Sequence, residues 1–326
     1  MEKPAFFRPV EIVLSLFSLA AIFWLVDVRK LYSTLSGADI YLVIAALSAY
    51  FLTMLMMSWR VRFIIDALGK KIGFGKAFFA NAAGLLASDF TPARSGYFVV
   101  PFLLKKSSGV PLDKGMIAIV SPQIVDFFLK AAGAAAAIIL LLYAIPSLSS
   151  SAIFLWAGVV AMLAFCVAMF AALFIPSSLH YMRMLSFIPF VSKGCDFIGS
   201  LQSHRGKVAG LFPAIAMISL VAFLLKGLEW YFFGLSLGIN FSVGIHPFLI
   251  FLVLQPLITA FQFAPFPTIA GLGLSEGSAV ASMALLGVDV ELAVAYVLLV
   301  RGATTLLDCI GLGGLIGFFF AKKVDG

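Results

Sequence analysis

The sequence predicts an all-α polytopic membrane protein. It should have six full transmembrane helices and two broken, re-entrant helical hairpins, arranged as an inverted repeat. Three observations lead there. Of 326 residues, 63% are hydrophobic and 11% are charged, whereas a soluble domain has about 45–50% and about 25%. The apolar residues gather in runs of the length, about 20 residues, that a helix needs to cross a ~30 Å acyl core. Two further apolar segments are interrupted by Pro and Gly. A soluble enzyme, a nucleic-acid-binding domain and a disordered chain are excluded on the same grounds. Residues 1–326 are expected to form one integral membrane domain.

The first apolar run is 10–27. Lys3 and Arg8 precede it and no small-residue cleavage site follows, so it is read as an uncleaved helix peripheral to the repeats. The second run, 40–58, leads into a basic stretch with Arg60, Arg62, Lys70, Lys71 and Lys76. Segment 77–104 consists of two short apolar pieces around Asp89–Gly96, and neither piece can cross alone. Lys105, Lys106 and Lys114 come next, then the run 117–143, an uncharged link and the helix 153–175. Residues 176–210 are the longest polar stretch and carry Arg183, Lys193, Arg205 and Lys207. The run 211–238 follows. Segment 248–288 again has two apolar pieces, around Phe263–Gly277, and is long enough for either a hairpin or two short crossings. The last run is 291–320, ahead of Lys322 and Lys323.

Charge orients the chain. Cytoplasmic flanks carry excess Lys and Arg. With the N-terminus inside and both broken segments returning to the side they entered from, 16 basic residues face the cytoplasm and only Arg29 and Lys30 face out. Both termini are then cytoplasmic, the protein sits in the cell (inner) membrane, and 176–210 is a cytoplasmic loop. The basic balance, net +7, needs no nucleic acid as partner; anionic lipid headgroups are enough. The same parity gives an internal repeat, 40–143 against 211–320. Each unit is a helix, a broken segment and a helix, and the two have opposite orientation. Discontinuous helices at corresponding places in inverted repeats mark the binding site of a transporter.

Nine ionisable residues fall within apolar segments: Asp89, Arg94, Asp126, Lys130, Lys226, Glu229, Glu276, Arg301 and Asp308. Facing lipid, they would cost on the order of 20–30 kcal/mol together. They must therefore face the bundle interior, a wet cavity or an interface. Asp126 and Lys130 are spaced i,i+4, Lys226 and Glu229 i,i+3, and Arg301 and Asp308 lie two turns apart on one face. Asp89 and Arg94 share one turn. Mutual neutralisation that fixes helix packing is the competing reading of these pairs. Pro92, Pro265 and Pro267 remove backbone donors and stop helices. Gly96, Gly271 and Gly273 allow tight turns. Helices restarting after such breaks point N–H groups at anions, and Arg94 and Arg301 would add fixed positive charge. A kinked packing motif is the alternative here. Gly313 and Gly317 have GxxxG spacing, which more often means close packing than a dimer face.

The three cysteines and three histidines are scattered without metal-ligand spacing, so no metal and no cofactor is expected. No nucleotide-binding, HExxH or GxSxG motif occurs.

GLLASDFTPARSGYFVVPFLL followed by QIVDFF, and PFPTIAGLGLSEG followed by VLLVRGATTLLD, resemble the two signatures of the lysylphosphatidylglycerol synthetase/flippase transmembrane-domain family. The likeness runs over roughly residues 10–320. By it, Pro92, Arg94, Gly96, Asp126, Gly271, Gly273, Glu276 and Arg301 take the family's marked positions. The sequence departs from the pattern at Tyr97, where a Glu is expected, and at Ile269-Ala270-Gly271, where Pro-Gly-Gly is common. The resemblance implies a membrane domain that binds or translocates lipids. The longest polar stretch, about 35 residues, is below the ~50–200 of a domain, so no soluble synthetase domain is expected in this chain.

The expected function is a flippase-like lipid transporter rather than an enzyme. Arg94 and Arg301 would hold a phosphate, while Glu276, Asp126 and Asp308 hold the arginines or a cationic headgroup. Two alternatives stay open. One is a non-transporting partner that docks a cytoplasmic glycosyltransferase or synthetase on 176–210. The other is an intramembrane lipid-pyrophosphate phosphatase, which TPARSG slightly resembles, although the paired glutamates of those enzymes are missing.

Overall fold

The computed structural model describes residues 28–146, 152–175, 198–241, 244–262, 274–314 and 316, without the side chains of 28, 92–94, 152, 154–155, 261–262 and 274–275. The described residues are helical, with no strand among them. The helices are α1 (Val28–Ser36), α2 (Ile40–Ala67), α3 (Phe74–Asp89), a 3-10 turn (Pro92–Phe98), α4 (Val99–Ser108), α5 (Leu112–Ala144) and α6 (Ala152–Phe174). They continue with α7 (Arg205–Ser236), α8 (Pro247–Gln262), α9 (Leu274–Leu285), α10 (Val290–Asp308) and a closing 3-10 turn (Cys309–Gly311).

Five helical stretches are long and apolar enough to cross a membrane: Ile40–Ala67, Leu112–Ala144, Trp156–Phe174, Arg205–Ser236 and Val290–Gly314. Each coincides with an apolar run expected from the sequence. The run 10–27 lies outside the described residues, as do Pro265, Pro267, Gly271, Gly273, Gly317 and most of 176–210. α2 is longer than its apolar run. Asp39 caps its N-terminus, accepting from the N–H groups of Tyr41 and Leu42, and the helix continues past residue 58 to Ala67.

Segment 77–104 doubles back on itself. Lys76 Nζ donates to the Ser107 carbonyl at 3.0 Å, which joins the start of α3 to the end of α4. Higher up, a Cβ on Gly84 would collide with Val100, and one on Gly96 would collide with the Ala87 carbonyl. Glycine at these two positions is what lets the arms close. Thr91 holds the apex, its hydroxyl accepting from the Gly96 N–H and donating to the Ala87 carbonyl.

α2 and α7 form the central pair and run antiparallel. The Asp39 N–H donates to the Ser236 carbonyl at 2.9 Å, while Arg60, near the other end of α2, donates to the Ser219 hydroxyl. Loops gather by end. At one end Lys114 Nζ donates to the Leu68 carbonyl, and Gln202 donates to the carbonyls of Ala172 and Ile175. At the other end Lys30 pairs with Glu291 at 3.4 Å. Lys70, Lys71, Lys76, Lys105, Lys106 and Lys114 all stand at the first end.

Two apolar layers fill the bundle. One includes Ile64, Leu68, Leu104, Ile117, Ile124, Val208 and Ile215. The other includes Ala46, Ala134, Ile138, Phe233, Phe251 and Tyr296. The polar cavity described below lies between them. On α5 the order along the helix is Ile117–Ile124, then Asp126–Lys130, then Ala131–Leu141; α2 and α7 repeat this succession of apolar, polar and apolar.

Small residues decide the close approaches. A Cβ on Gly311 would strike the Ala82 carbonyl, and one on Gly314 the Phe79 carbonyl. The end of α10 and the residues after it therefore lie directly on α3. The close-packing reading of the glycines near 313 holds here, although the tightest sites are Gly311 and Gly314.

Candidate functional site

A cavity of about 180 Å³ opens at mid-bundle, and both halves of the chain contribute to it. From the first half come Tyr50, Thr53, Met57 and Arg60 of α2, Ser88 and Asp89 at the end of α3, and Asp126 and Lys130 of α5. From the second half come Ser219 and Lys226 of α7, Gln255 of α8, and Arg301, Thr304 and Asp308 of α10. The spacings explain the convergence. Residues 50, 53, 57 and 60 lie on one helix face, as do 219, 222, 223 and 226, and 301, 304 and 308.

Three cations are held in three different ways. Arg60 is 3% exposed and grips Asp126 with both ends of its guanidinium, Nη1–Oδ1 at 2.8 Å and Nη2–Oδ2 at 2.9 Å. Nη1 also donates to Ser219 Oγ at 2.6 Å. This is the short, bidentate geometry of a strong charge-assisted pair, and it ties α2, α5 and α7 together. Lys226 Nζ bonds Glu229 Oε1 at 2.8 Å and stands 4.6 Å from the Tyr50 ring centroid. Glu229 is fully buried and is not part of the cavity wall.

Arg301 is held more loosely. Its Nη1 is 3.6 Å from Glu276 Oε1, well beyond the ~2.7–2.9 Å of a good charge-assisted bond. Its Nη2 donates to the Asp89 backbone carbonyl at 3.3 Å. That carbonyl belongs to the last turn of α3, where carbonyls lack helical partners and cations are favoured.

At the same end, Asp308 receives the Tyr50 hydroxyl, which is 2.8 Å from both carboxylate oxygens. Thr305 donates to Asp89 Oδ2 at 3.4 Å.

Asp89, Asp126, Lys130, Lys226, Arg301 and Asp308 thus face one space, as the cost of burying them in lipid demanded. Glu276 and Glu229 stand behind Arg301 and Lys226. Pro92 opens the 3-10 turn at the hairpin apex; Arg94 is in that turn, and its side chain is outside the described residues. Three expectations are corrected. Arg60 is not a flanking charge of a helix ending at 58: α2 carries it into the interior, where Asp126 pairs with its charge and Ser219 accepts a further bond. Arg301 and Asp308, two turns apart, are bonded to Glu276 and Tyr50 and not to each other. The hydrogen-bonded partner of Asp126 is Arg60, not Lys130.

Sequence reasoning missed Arg60, Tyr50, Ser219, Gln255 and Thr304. The stripe Tyr50, Thr53, Arg60 at helical spacing was the available signal for α2. The neutral residues gave none, since Ser, Thr and Gln are tolerated on many membrane helix faces. Asn81, fully buried, accepts from the Tyr97 hydroxyl. Tyr97 therefore has a hydrogen-bonded place at the position where the sequence departs from the family pattern.

A family model described as lysylphosphatidylglycerol synthase TM region matches residues 10–311. The chain belongs to that family. Comparison with curated proteins found no match.

Proposed function

We propose that this member of the lysylphosphatidylglycerol synthase TM region family is a flippase-like lipid transporter, with the mid-bundle cavity receiving an anionic or modified phospholipid headgroup. One observation carries the reading. Ionised side chains from both halves of an apolar helix bundle converge on a cavity between two apolar layers, and intramembrane charge in such a place marks a substrate path.

The geometry supports a division of labour. Arg60 has both terminal nitrogens engaged by Asp126 and Ser219 and serves as a brace. Arg301 has one long ion pair and one carbonyl contact, so a phosphate that offers closer oxygens can displace Glu276. About 180 Å³ is less than the ~300–1,000 Å³ of a drug-sized pocket. It suits a headgroup, and the acyl tails would stay in the surrounding bilayer.

The inverted repeat fits this picture. α2 and α7 open the two units and run antiparallel, and α2, α3 and α5 line the cavity opposite α7, α8 and α10. In this reading the lysine-rich end faces the cytoplasm, both termini lie there, and α3–α4 is a re-entrant hairpin entering from that side.

The test is a translocation assay. Purified protein is placed in liposomes with acyl-labelled phosphatidylglycerol, and a membrane-impermeant reductant reports the lipid that reaches the outer leaflet. Wild type exposes inner-leaflet lipid, and Arg301→Ala slows this at least tenfold while keeping its helical content and elution volume. Transport that is unaffected by Arg301→Ala refutes the assignment of the arginine. Absence of transport for phosphatidylglycerol, phosphatidylethanolamine and a lysylated lipid alike refutes the transporter reading.

A further inference from the structure

We propose that Asp308 is a proton-binding site, and that a proton and the ammonium of a lipid headgroup occupy it in turn. This rests on the transporter reading for its second occupant but not for its first. Arg60 is matched by Asp126, Lys226 by Glu229 and Arg301 by Glu276. Asp308 is 2% exposed, and among the described residues no Lys or Arg nitrogen lies within ion-pair distance of it. Its hydrogen-bond donor is a neutral phenol, Tyr50. One phenol proton cannot serve both oxygens at once. A second carboxylate, Asp89 on α3, is hydrogen-bonded to it side chain to side chain, and Lys226 on α7 is within electrostatic reach. The ammonium of Lys226, however, is bonded at 2.8 Å to the fully buried Glu229.

A buried carboxylate set against a second carboxylate and a neutral phenol, with no cation at ion-pair distance, has two ways to be satisfied: it takes a proton, which the two carboxyls can share, or it takes a cation from outside. The cavity offers a place for both. Arg301 and Asp308 are seven residues apart on one face of α10, about 10 Å along the axis. A positive pole and a negative pole therefore look into the same space. A headgroup that puts its phosphate on Arg301 puts a following ammonium towards Asp308. As the ammonium arrives, the carboxyl O–H bond breaks and the proton leaves to water in the cavity. As the headgroup departs, a proton returns to the same oxygen. The charge at Asp308 is neutral in both states, and no partner other than water is needed. The remaining charged groups lining the cavity from α5 are Asp126, held by Arg60, and Lys130 one helical turn further on.

The proton site is tested without transport. Infrared difference spectra between acidic and alkaline buffer are recorded on the full chain in phosphatidylglycerol liposomes. A protonated carboxylic acid C=O band should titrate in wild type and be lost in Asp308→Asn. Tyr50→Phe, a milder change, should keep the band but shift its frequency and its midpoint pH, which guards against a misfolded Asp308→Asn. A band unchanged in both variants overturns the proposal.

The exchange is tested with acyl-labelled phosphatidylethanolamine, a trapped pH dye and a clamped membrane potential. One proton per lipid gives about a tenfold lipid asymmetry per pH unit, with dye response lost in Asp308→Asn. Lipid movement with no dye response and no titrating band removes the proton site and leaves the transporter reading intact. An Asp308-dependent band without movement of any lipid does the reverse.

Discussion

Removing the carboxylate of Asp126 should destabilise the bundle more than any other single change in the cavity. Arg60 is 3% exposed, and its bonds to Asp126 are bidentate at 2.8 and 2.9 Å. Without Asp126, a buried guanidinium keeps one hydroxyl, Ser219, as its hydrogen-bonded partner among the described residues. Stranding one member of a buried ion pair costs about 3–5 kcal/mol. The Asp126 side chain is 19% exposed to the cavity, so water can replace part of what is lost and the lower end applies. Asp126→Leu is expected to cost about 3 kcal/mol, close to a hundredfold in the unfolding constant.

Arg60→Met leaves the carboxylate at the wet side of the pair with Lys130 one helical turn away, and should cost less. The double variant Arg60→Met/Asp126→Leu removes both charges and should recover most of the stability, since apolar replacements of a buried pair are often neutral or better. The assay is reversible unfolding in mixed micelles by titration with a denaturing detergent, followed by circular dichroism. The reasoning fails if Asp126→Leu costs under about 1 kcal/mol, or if the two single effects simply add in the double variant. Recovered stability without recovered lipid movement would show that the pair also shapes the path.

Two further outcomes follow from packing and orientation. Gly314→Ala drives a methyl group into the Phe79 carbonyl and should cost about 1–3 kcal/mol, whereas Gly302→Ala, with open space around it, should be neutral or stabilising by up to about 1 kcal/mol; thermal unfolding in detergent separates them. Cysteines at Lys71 and Lys106, in a variant lacking the natural cysteines, should react with an impermeant maleimide in inverted membrane vesicles and not in intact spheroplasts, and one at Lys30 should do the opposite; the same accessibility for all three would reject the orientation.

From the residues alone it follows that the chain lives in a bilayer, that the long apolar runs from residue 40 onward become helices, and that its intramembrane charges must avoid lipid. These are consequences of composition and of the length a helix needs, and neither depends on how the helices meet. The asymmetry of basic residues and the two Pro/Gly breaks were equally local. The short arms of 77–104 allowed a single broken crossing or a hairpin, the basic-residue asymmetry favoured the hairpin, and α3–α4 does double back.

Tertiary structure decided which charge pairs with which. Asp126 has Lys130 four residues away, yet it bonds Arg60 from 66 residues earlier, because the antiparallel packing of α2 on α7 brings Arg60 to the level of Ser219 and Asp126. Arg60 read as a flanking charge because hydropathy counts what a residue is and not what it meets. Tyr50 facing Asp308, 258 residues apart, left no local pattern at all. Periodicity can say that a face is polar. Which faces turn towards one another, and hence which arginine is a brace and which is open to a ligand, is set by the close contacts that small residues such as Gly84 and Gly314 permit.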